Sequence, residues 1–304
     1  MGKTAFLFPG QGSQYVGMGK QLYQSFRSAR RVYDQASGLL GFDLKDVCFQ
    51  GPEERLKETR FTQPAVFVTS IALCSVLENR EIAPQFVAGH SLGEYSALVK
   101  AGVIEFSDAV RAVKIRAELM QQVEKETPGR MAAIIGLSAD KVAEICELAS
   151  SLGLVVPANF NSPEQIVISG AASAVKEAMR LAQQRGTRKV VELQVKGAFH
   201  TRFMETVAAR LEEVLAALPL KKAEVPIICN VSAEETTDAE EIRRLLVKQL
   251  THPVKWTRSM QRMVALGVDR MVEVGPGRVL CGLMRRIDRT VEVLSAEQIV
   301  RGEA

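Results

Sequence analysis

The sequence is poor in the residues on which metal, disulfide and membrane chemistry depend. Histidine occurs only at His90, His200 and His252, without the spacing of metal ligands. The five cysteines (Cys48, Cys74, Cys146, Cys229 and Cys281) are odd in number and include no C-x-x-C pair. They mostly interrupt apolar stretches, so we expect small buried thiols in a reducing compartment, with neither a disulfide framework nor a metal site. No stretch approaches the ~20 apolar residues of a membrane span. The apolar run in Met1-Gly2-Lys3-Thr4-Ala5-Phe6-Leu7-Phe8 is too short for a signal peptide, and Phe6 stands where a myristoylation motif needs Ser or Thr. A formal charge of +4 is too small to argue for nucleic acid. The expectation is a cytoplasmic protein with no membrane or nucleic-acid partner. No repeat or low-complexity segment appears.

What is present is ordinary soluble composition, 47% apolar and 24% charged, in 304 residues. That length suits one large domain with an insertion, or two domains. Strand-like and helix-like segments alternate, which implies an α/β fold with a mainly parallel sheet. Residues 4–8 look like a buried strand running into Pro9-Gly10-Gln11-Gly12-Ser13-Gln14. Tyr15 occupies the position of the third glycine of a dinucleotide fingerprint, so that reading is set aside. A helix is expected from Pro64 to Glu78, with Thr62 as its N-cap and Pro64 in its first turn. Residues 130–194 follow the order βαββαβ, that of a ferredoxin-like unit, with one turn at Asn161-Ser162-Pro163. Thr127-Pro128-Gly129 and Lys196-Gly197 punctuate its ends. The expected organisation is a hydrolase-like large domain, 1–127 and 198–304, with a small ferredoxin-like domain, 128–197, inserted. Val225 to Val231 is strand-like, and the acidic stretch 232–241 reads as a solvated loop.

The chemistry centres on Gly89-His90-Ser91-Leu92-Gly93. The apolar run Gln85-Phe86-Val87-Ala88 precedes it and the helix-competent Glu94-Tyr95-Ser96-Ala97-Leu98-Val99-Lys100 follows. Strand, G-x-S-x-G, helix is the context of a nucleophile elbow, in which Ser91 is lifted off the sheet edge beside a helix N-terminus.

The helix opening at Ser107-Asp108 carries an apolar stripe of Ala109, Val113, Ala117 and Met120. Arg111, Lys114, Glu118, Gln121 and Lys125 fall on its polar face. At ~100° per residue, Arg116 lands inside the apolar stripe. A stripe-edge arginine can snorkel to water. A buried guanidinium cannot shed its proton and needs an anion.

A serine hydroxyl needs an adjacent base. His252 precedes a proline in a loop and is expected to be structural or at the surface. His90, next to Ser91, leaves the turn in another direction and is expected to support the elbow. His200, at the exit of the inserted unit, is the base by elimination, with His90 as the alternative. No carboxylate sits near a motif to orient it. Asp269 and Glu273 are candidates, and a backbone carbonyl would also serve.

Taken together, Phe8-Pro9-Gly10-Gln11-Gly12-Ser13-Gln14, Gly89-His90-Ser91-Leu92-Gly93-Glu94-Tyr95, Arg116, Gly197-Ala198-Phe199-His200, Gln249-Leu250-Thr251-His252-Pro253-Val254-Lys255-Trp256 and Glu273-Val274-Gly275-Pro276-Gly277 resemble the malonyl-CoA:acyl-carrier-protein transacylases of dissociated fatty acid synthesis. The resemblance runs nearly end to end. It implies that Ser91 takes the acyl group, that His200 is general base and then acid, and that Arg116 pairs with the malonyl carboxylate. It further implies an oxyanion hole from the backbone N–H groups of Gln11 and Leu92, and a His200 oriented by the main-chain carbonyl of Gln249. Leu92 after the serine and Ala-Phe before the histidine resemble malonyl-selective members, and Thr201 departs mildly from the family's Ser. Malonyl-CoA and acyl carrier protein would be its partners and substrates, with no cofactor, and the chain would be a monomer. Arg285, Arg286 and Arg289, or Arg188 and Lys189, are candidates to receive an acidic carrier protein. Elbow and histidine alone would suit a thioesterase or lipase equally; Arg116 is the feature such a hydrolase has no use for.

Overall fold

A computed structural model describes residues 2–303. The strands are β1 (Lys3–Phe8), β2 (Phe86–Gly89), β3 (Gly129–Ile135), β4 (Val155–Ser162), β5 (Gln165–Ala171), β6 (Lys189–Glu192), β7 (Ile227–Ile228), β8 (Glu235–Thr236), β9 (Val268–Glu273) and β10 (Glu292–Ser295). They form a six-stranded sheet of order β10-β9-β1-β2-β7-β8 and a four-stranded sheet of order β4-β5-β3-β6.

In the larger sheet every pairing from β10 to β7 is parallel and only β7–β8 is antiparallel. Successive side chains of a strand point to opposite faces, and β1 obeys this. Phe6 and Phe8 enter the core built with the helices Arg27–Leu40, Thr59–Glu78 and Phe106–Glu126. Ala5 and Leu7 pack on the other face against Trp256, Met260, Leu280 and Met284. Both faces are therefore covered, as a parallel sheet requires.

The smaller sheet is antiparallel throughout. Ala132, Ile134, Ile166 and Ile168 face the helices Ala139–Ala149 and Ala172–Gln184. The alternate residues Met131, Ala133 and Val167 turn towards the core of the larger sheet. Val254 stitches the two together: its N–H donates to Ala158 O, and its carbonyl accepts from Phe160 N.

Several boundaries differ from expectation. The helix of the Pro64 segment begins at Thr59, so Pro64 lies inside it and Thr62 is not its N-cap. The Thr62 hydroxyl instead donates to Leu56 O at 2.5 Å and Glu58 O at 3.1 Å. That extra turn gives the helix the length of a membrane span, yet most of it is buried in the core. The helix expected at Ser107 starts at Phe106, and its Gln121 is buried, accepting from Arg60 N at 2.9 Å. Strand β4 runs through Asn161 and Ser162, which were expected to turn. Of residues 225–231 only Ile227–Ile228 pair as a strand. The acidic stretch contains β8, whose Glu235 accepts twice from Arg262 at 2.7 Å. All five cysteines are buried and free.

Candidate active site

Three neighbouring parallel strands, β1, β2 and β7, deliver the site at their carboxyl ends, where open α/β sheets place their ligands. β1 ends in the loop bearing Gln11, β2 in the turn bearing Ser91, and β7 just before Asn230.

Sequence dictates the turn after β2. A Cβ on Gly89 would sit 1.9 Å from Gly93 C, and one on Gly93 would sit 2.1 Å from Phe8 O, so neither position admits a side chain. Between them Ser91 is held at φ 50°, a left-handed conformation rare for non-glycine residues. Asn230 pins this turn: its Oδ1 accepts from Ser91 N at 2.7 Å and its Nδ2 donates to Gly89 O at 2.6 Å.

His200, also in the left-handed region at φ 60°, arrives from the connection after β6. The Ser91 hydroxyl donates to its Nε2 at 2.9 Å, while its Nδ1–H donates to the Gln249 carbonyl at 2.8 Å. The carbonyl fixes the tautomer that leaves Nε2 free to accept. Burial holds the imidazole far below its ordinary range, at about 3, with Arg116 and His90 adding to the shift and the Gln249 carbonyl opposing it. The ring is therefore neutral near pH 7.

Arg116 is 1% exposed, so the stripe position does bury it. Its partners are neutral: Nη1 donates to Gln63 Oε1 at 2.6 Å, and Nη2 to Ser91 Oγ at 3.1 Å and Gln249 Oε1 at 3.2 Å. The Tyr95 ring lies 5.8 Å away. Its Nε is buried without a partner among the described residues. Burial lowers the guanidinium pKa, offset in part by Tyr95 and Glu94.

Gln11 and Leu92 line the same cavity as Ser91, Arg116 and His200. The N–H groups beside theirs are committed, Gly12 N to Gln14 Oε1 at 2.7 Å and Ser91 N to Asn230. The N–H groups of Gln11 and Leu92 have no partner among the described residues.

The remaining candidates lie elsewhere. Glu273 accepts from Leu280 N at 3.0 Å and Cys281 N at 2.8 Å, capping the helix Val279–Ile287, and does not touch His200. Asp269 is exposed beside Gly2. His252 is exposed, its Nδ1 2.9 Å from Lys248 O. His90 packs on Trp256 with ring centroids 5.4 Å apart, and Asn161 Oδ1 of β4 accepts from its Nε2 at 2.8 Å. It joins the elbow to the smaller sheet. The His90→Ala protein is therefore expected to lose about 1–3 kcal/mol in denaturant unfolding, because Asn161 Oδ1 is left without its donor. Acyl-enzyme formation should persist, and its abolition would reverse the roles given to the two histidines.

Gln63, Asn230, Glu94 and Asn161 were not singled out from sequence. Glu94 lay within a quoted motif, and its carboxyl is buried and raised to about 7 by desolvation against the Asn230 N–H, Gln249 and Arg116. Gln63 and Asn161 carried no local signal, since each acts through a partner more than fifty residues away.

Residues 5–300 match the acyl transferase domain family. The malonyl CoA-acyl carrier protein transacylase of Bacillus subtilis strain 168 is 43% identical over 296 residues, 97% of this chain and 93% of that protein. The structure of the Coxiella burnetii malonyl CoA-acyl carrier protein transacylase superposes with a TM-score of 0.96 at 38% identity, covering 99% of this chain and 96% of that one. A malonyl-transacylase in complex with its type II PKS acyl-carrier protein gives a TM-score of 0.95 at 38% identity over 99% of each chain. With a site assembled at the ends of adjacent parallel strands and likeness across its whole length, this chain belongs to the acyl transferase domain family, among the malonyl-CoA:acyl-carrier-protein transacylases.

Proposed function

We propose that the protein moves a malonyl group from malonyl-CoA to the phosphopantetheine thiol of an acyl carrier protein, through a malonyl ester on Ser91. The observation that carries this reading is a buried arginine with no carboxylate partner, whose Nη2 sits 3.1 Å from a serine hydroxyl bonded to a neutral histidine. Nε and Nη2 form one edge of a guanidinium, and on Arg116 that edge holds the unpartnered Nε and the nitrogen nearest Ser91. A carboxylate one methylene from a thioester carbonyl can take that edge bidentately while the thioester carbonyl lies at Ser91 Oγ.

In the first half-reaction Ser91 Oγ attacks the thioester carbonyl and its proton passes to His200 Nε2. The imidazolium, held by the Gln249 carbonyl, then protonates the departing CoA sulfur. In the second, His200 takes the proton of the carrier thiol, whose sulfur attacks the ester, and returns it to Ser91 Oγ as the bond breaks. The N–H groups of Gln11 and Leu92 receive the oxyanion in both intermediates, each donor worth roughly 3 kcal/mol by analogy with serine proteases. Residues 128–197 form, on this reading, a ferredoxin-like domain inserted in a hydrolase-like one, 1–127 and 198–304. Met131 and Val167 of its inner face help close the site.

The test is the mass of the Ser91 peptide after mixing with malonyl-CoA and acetyl-CoA in competition. A stable malonyl adduct that discharges to holo carrier protein is expected. Release of free malonate as fast as carrier loading would instead make the protein a hydrolase.

A further inference from the structure

The guanidinium of Arg116 and the carboxyl of Glu94 are both buried in the site, and no hydrogen bond joins them. Between them lies the side chain of Gln249. Its Nε2 donates to Glu94 Oε2 and, at 3.0 Å, to Ser91 O, while its Oε1 accepts from Arg116 Nη2 at 3.2 Å. The other carboxylate oxygen, Glu94 Oε1, accepts from Asn230 N at 2.6 Å. Glu94 and Gln249 are both essentially inaccessible to water.

We propose that the Gln249 side chain is a neutral spacer, oriented by Glu94, which keeps the protein's own carboxylate one amide away from Arg116 so that the substrate carboxylate can pair with it. This rests on the proposed function and assigns the origin of its selectivity. A cation in direct contact with a buried carboxylate would be satisfied before substrate arrived and would gain little from malonate. A cation with no counter-charge nearby would be too costly to bury. One amide between them leaves Arg116 charged but short of a bidentate partner. Glu94 fixes the direction of that amide: turned over, Gln249 would aim Oε1 at Glu94 and Ser91 O, acceptor on acceptor, and its NH₂ at Arg116, donor on donor. Glu94 is thus a positioning residue. Gln249 has two separable duties, since its backbone carbonyl holds His200 and its side chain holds Arg116.

Two substitutions in the full chain test this, with Ser91 loading from malonyl-CoA and acetyl-CoA as readout. Gln249→Glu places one carboxylate oxygen directly on Arg116 and the other against Glu94, where a proton shared by the two carboxyls takes the place of the amide donor, and it keeps the main chain that orients His200. The malonyl-to-acetyl loading ratio, taken within the variant, should fall roughly ten- to a hundredfold. Glu94→Gln keeps the shape but turns an NH₂ towards Gln249 Nε2, because Asn230 N still claims the remaining oxygen. The ratio should again fall, by about tenfold. Should either variant fail to fold, the other carries the test. A ratio that survives in the folded variants, or malonyl and acetyl loading that fall together, overturns the inference. A wild-type chain with no preference for malonyl removes the proposed function itself, and this inference with it.

Discussion

Replacing His200 by alanine is expected to slow malonyl loading of Ser91 by about three orders of magnitude, the range in which a positioned general base contributes. The cause is local. Among the described residues Ser91 Oγ has two hydrogen-bond partners, the His200 nitrogen at 2.9 Å and the Arg116 nitrogen at 3.1 Å. The arginine only donates, so without the imidazole nothing accepts the serine proton. Stopped reactions resolved by intact mass would measure this directly. Retention of wild-type loading would move the base elsewhere, and His90 is too firmly engaged with Asn161 to replace it. The wild-type pH profile gives an independent check. Burial moves the imidazole from 6.5 down to about 3, so it remains able to accept a proton across the window where a free histidine would be charged. The acylation rate should therefore show no loss centred on pH 6.5. The sign for stability follows from the same shift. Between about pH 6.5 and 3 the unfolded chain binds a proton at His200 that the folded chain does not, so this residue's contribution is present above 6.5 and is lost as pH falls through that interval.

Arg116→Ala is expected to change which acyl group the protein takes. Malonyl loading should drop by more than a hundredfold, since a substrate carboxylate would enter a buried site with no cation, a penalty of about 3–5 kcal/mol. Acetyl and longer acyl loading should rise, because no unpaired guanidinium then confronts a neutral chain end. Competition between malonyl-CoA and acetyl-CoA, read from the adduct on the Ser91 peptide, measures both limbs in one sample. An unchanged malonyl preference would remove Arg116 from the substrate contacts.

These residues were legible because each broke a local rule. Arg116 was a charge inside an apolar stripe, and Ser91 sat in a glycine-flanked turn between strand and helix. The carboxyl ends of β1 and β2 could be found for the same reason, as short apolar runs closing on glycine. The acceptor for His200 could not be found that way. A backbone carbonyl has no signature in a sequence, so Gln249 came from resemblance to a family, and the candidate carboxylates Asp269 and Glu273 went elsewhere in the fold. Thr62 misleads as a cap because it lies within the first turn of a helix that begins earlier, its hydroxyl reaching back to the carbonyls of Leu56 and Glu58 just before it, and the proline sits in the interior. Asn161 resembles a turn residue in an Asn-Ser-Pro sequence, but the pairing of its neighbours Phe160 and Ser162 with β5, and its own bond to His90, hold it in a strand. Tertiary partners overrode local chemistry in both places.

The protein's own sulfur has a consequence for an enzyme that is proposed to handle thiols and thioesters. Every cysteine is buried, and desolvation raises all five, Cys146 and Cys281 to about 12. Nucleophilicity belongs to the thiolate, and at neutral pH almost none is present. The acyl cargo therefore meets no rival thiolate of the chain, and pantetheine arms arriving in either half-reaction find no reactive cysteine with which to exchange or cross-link.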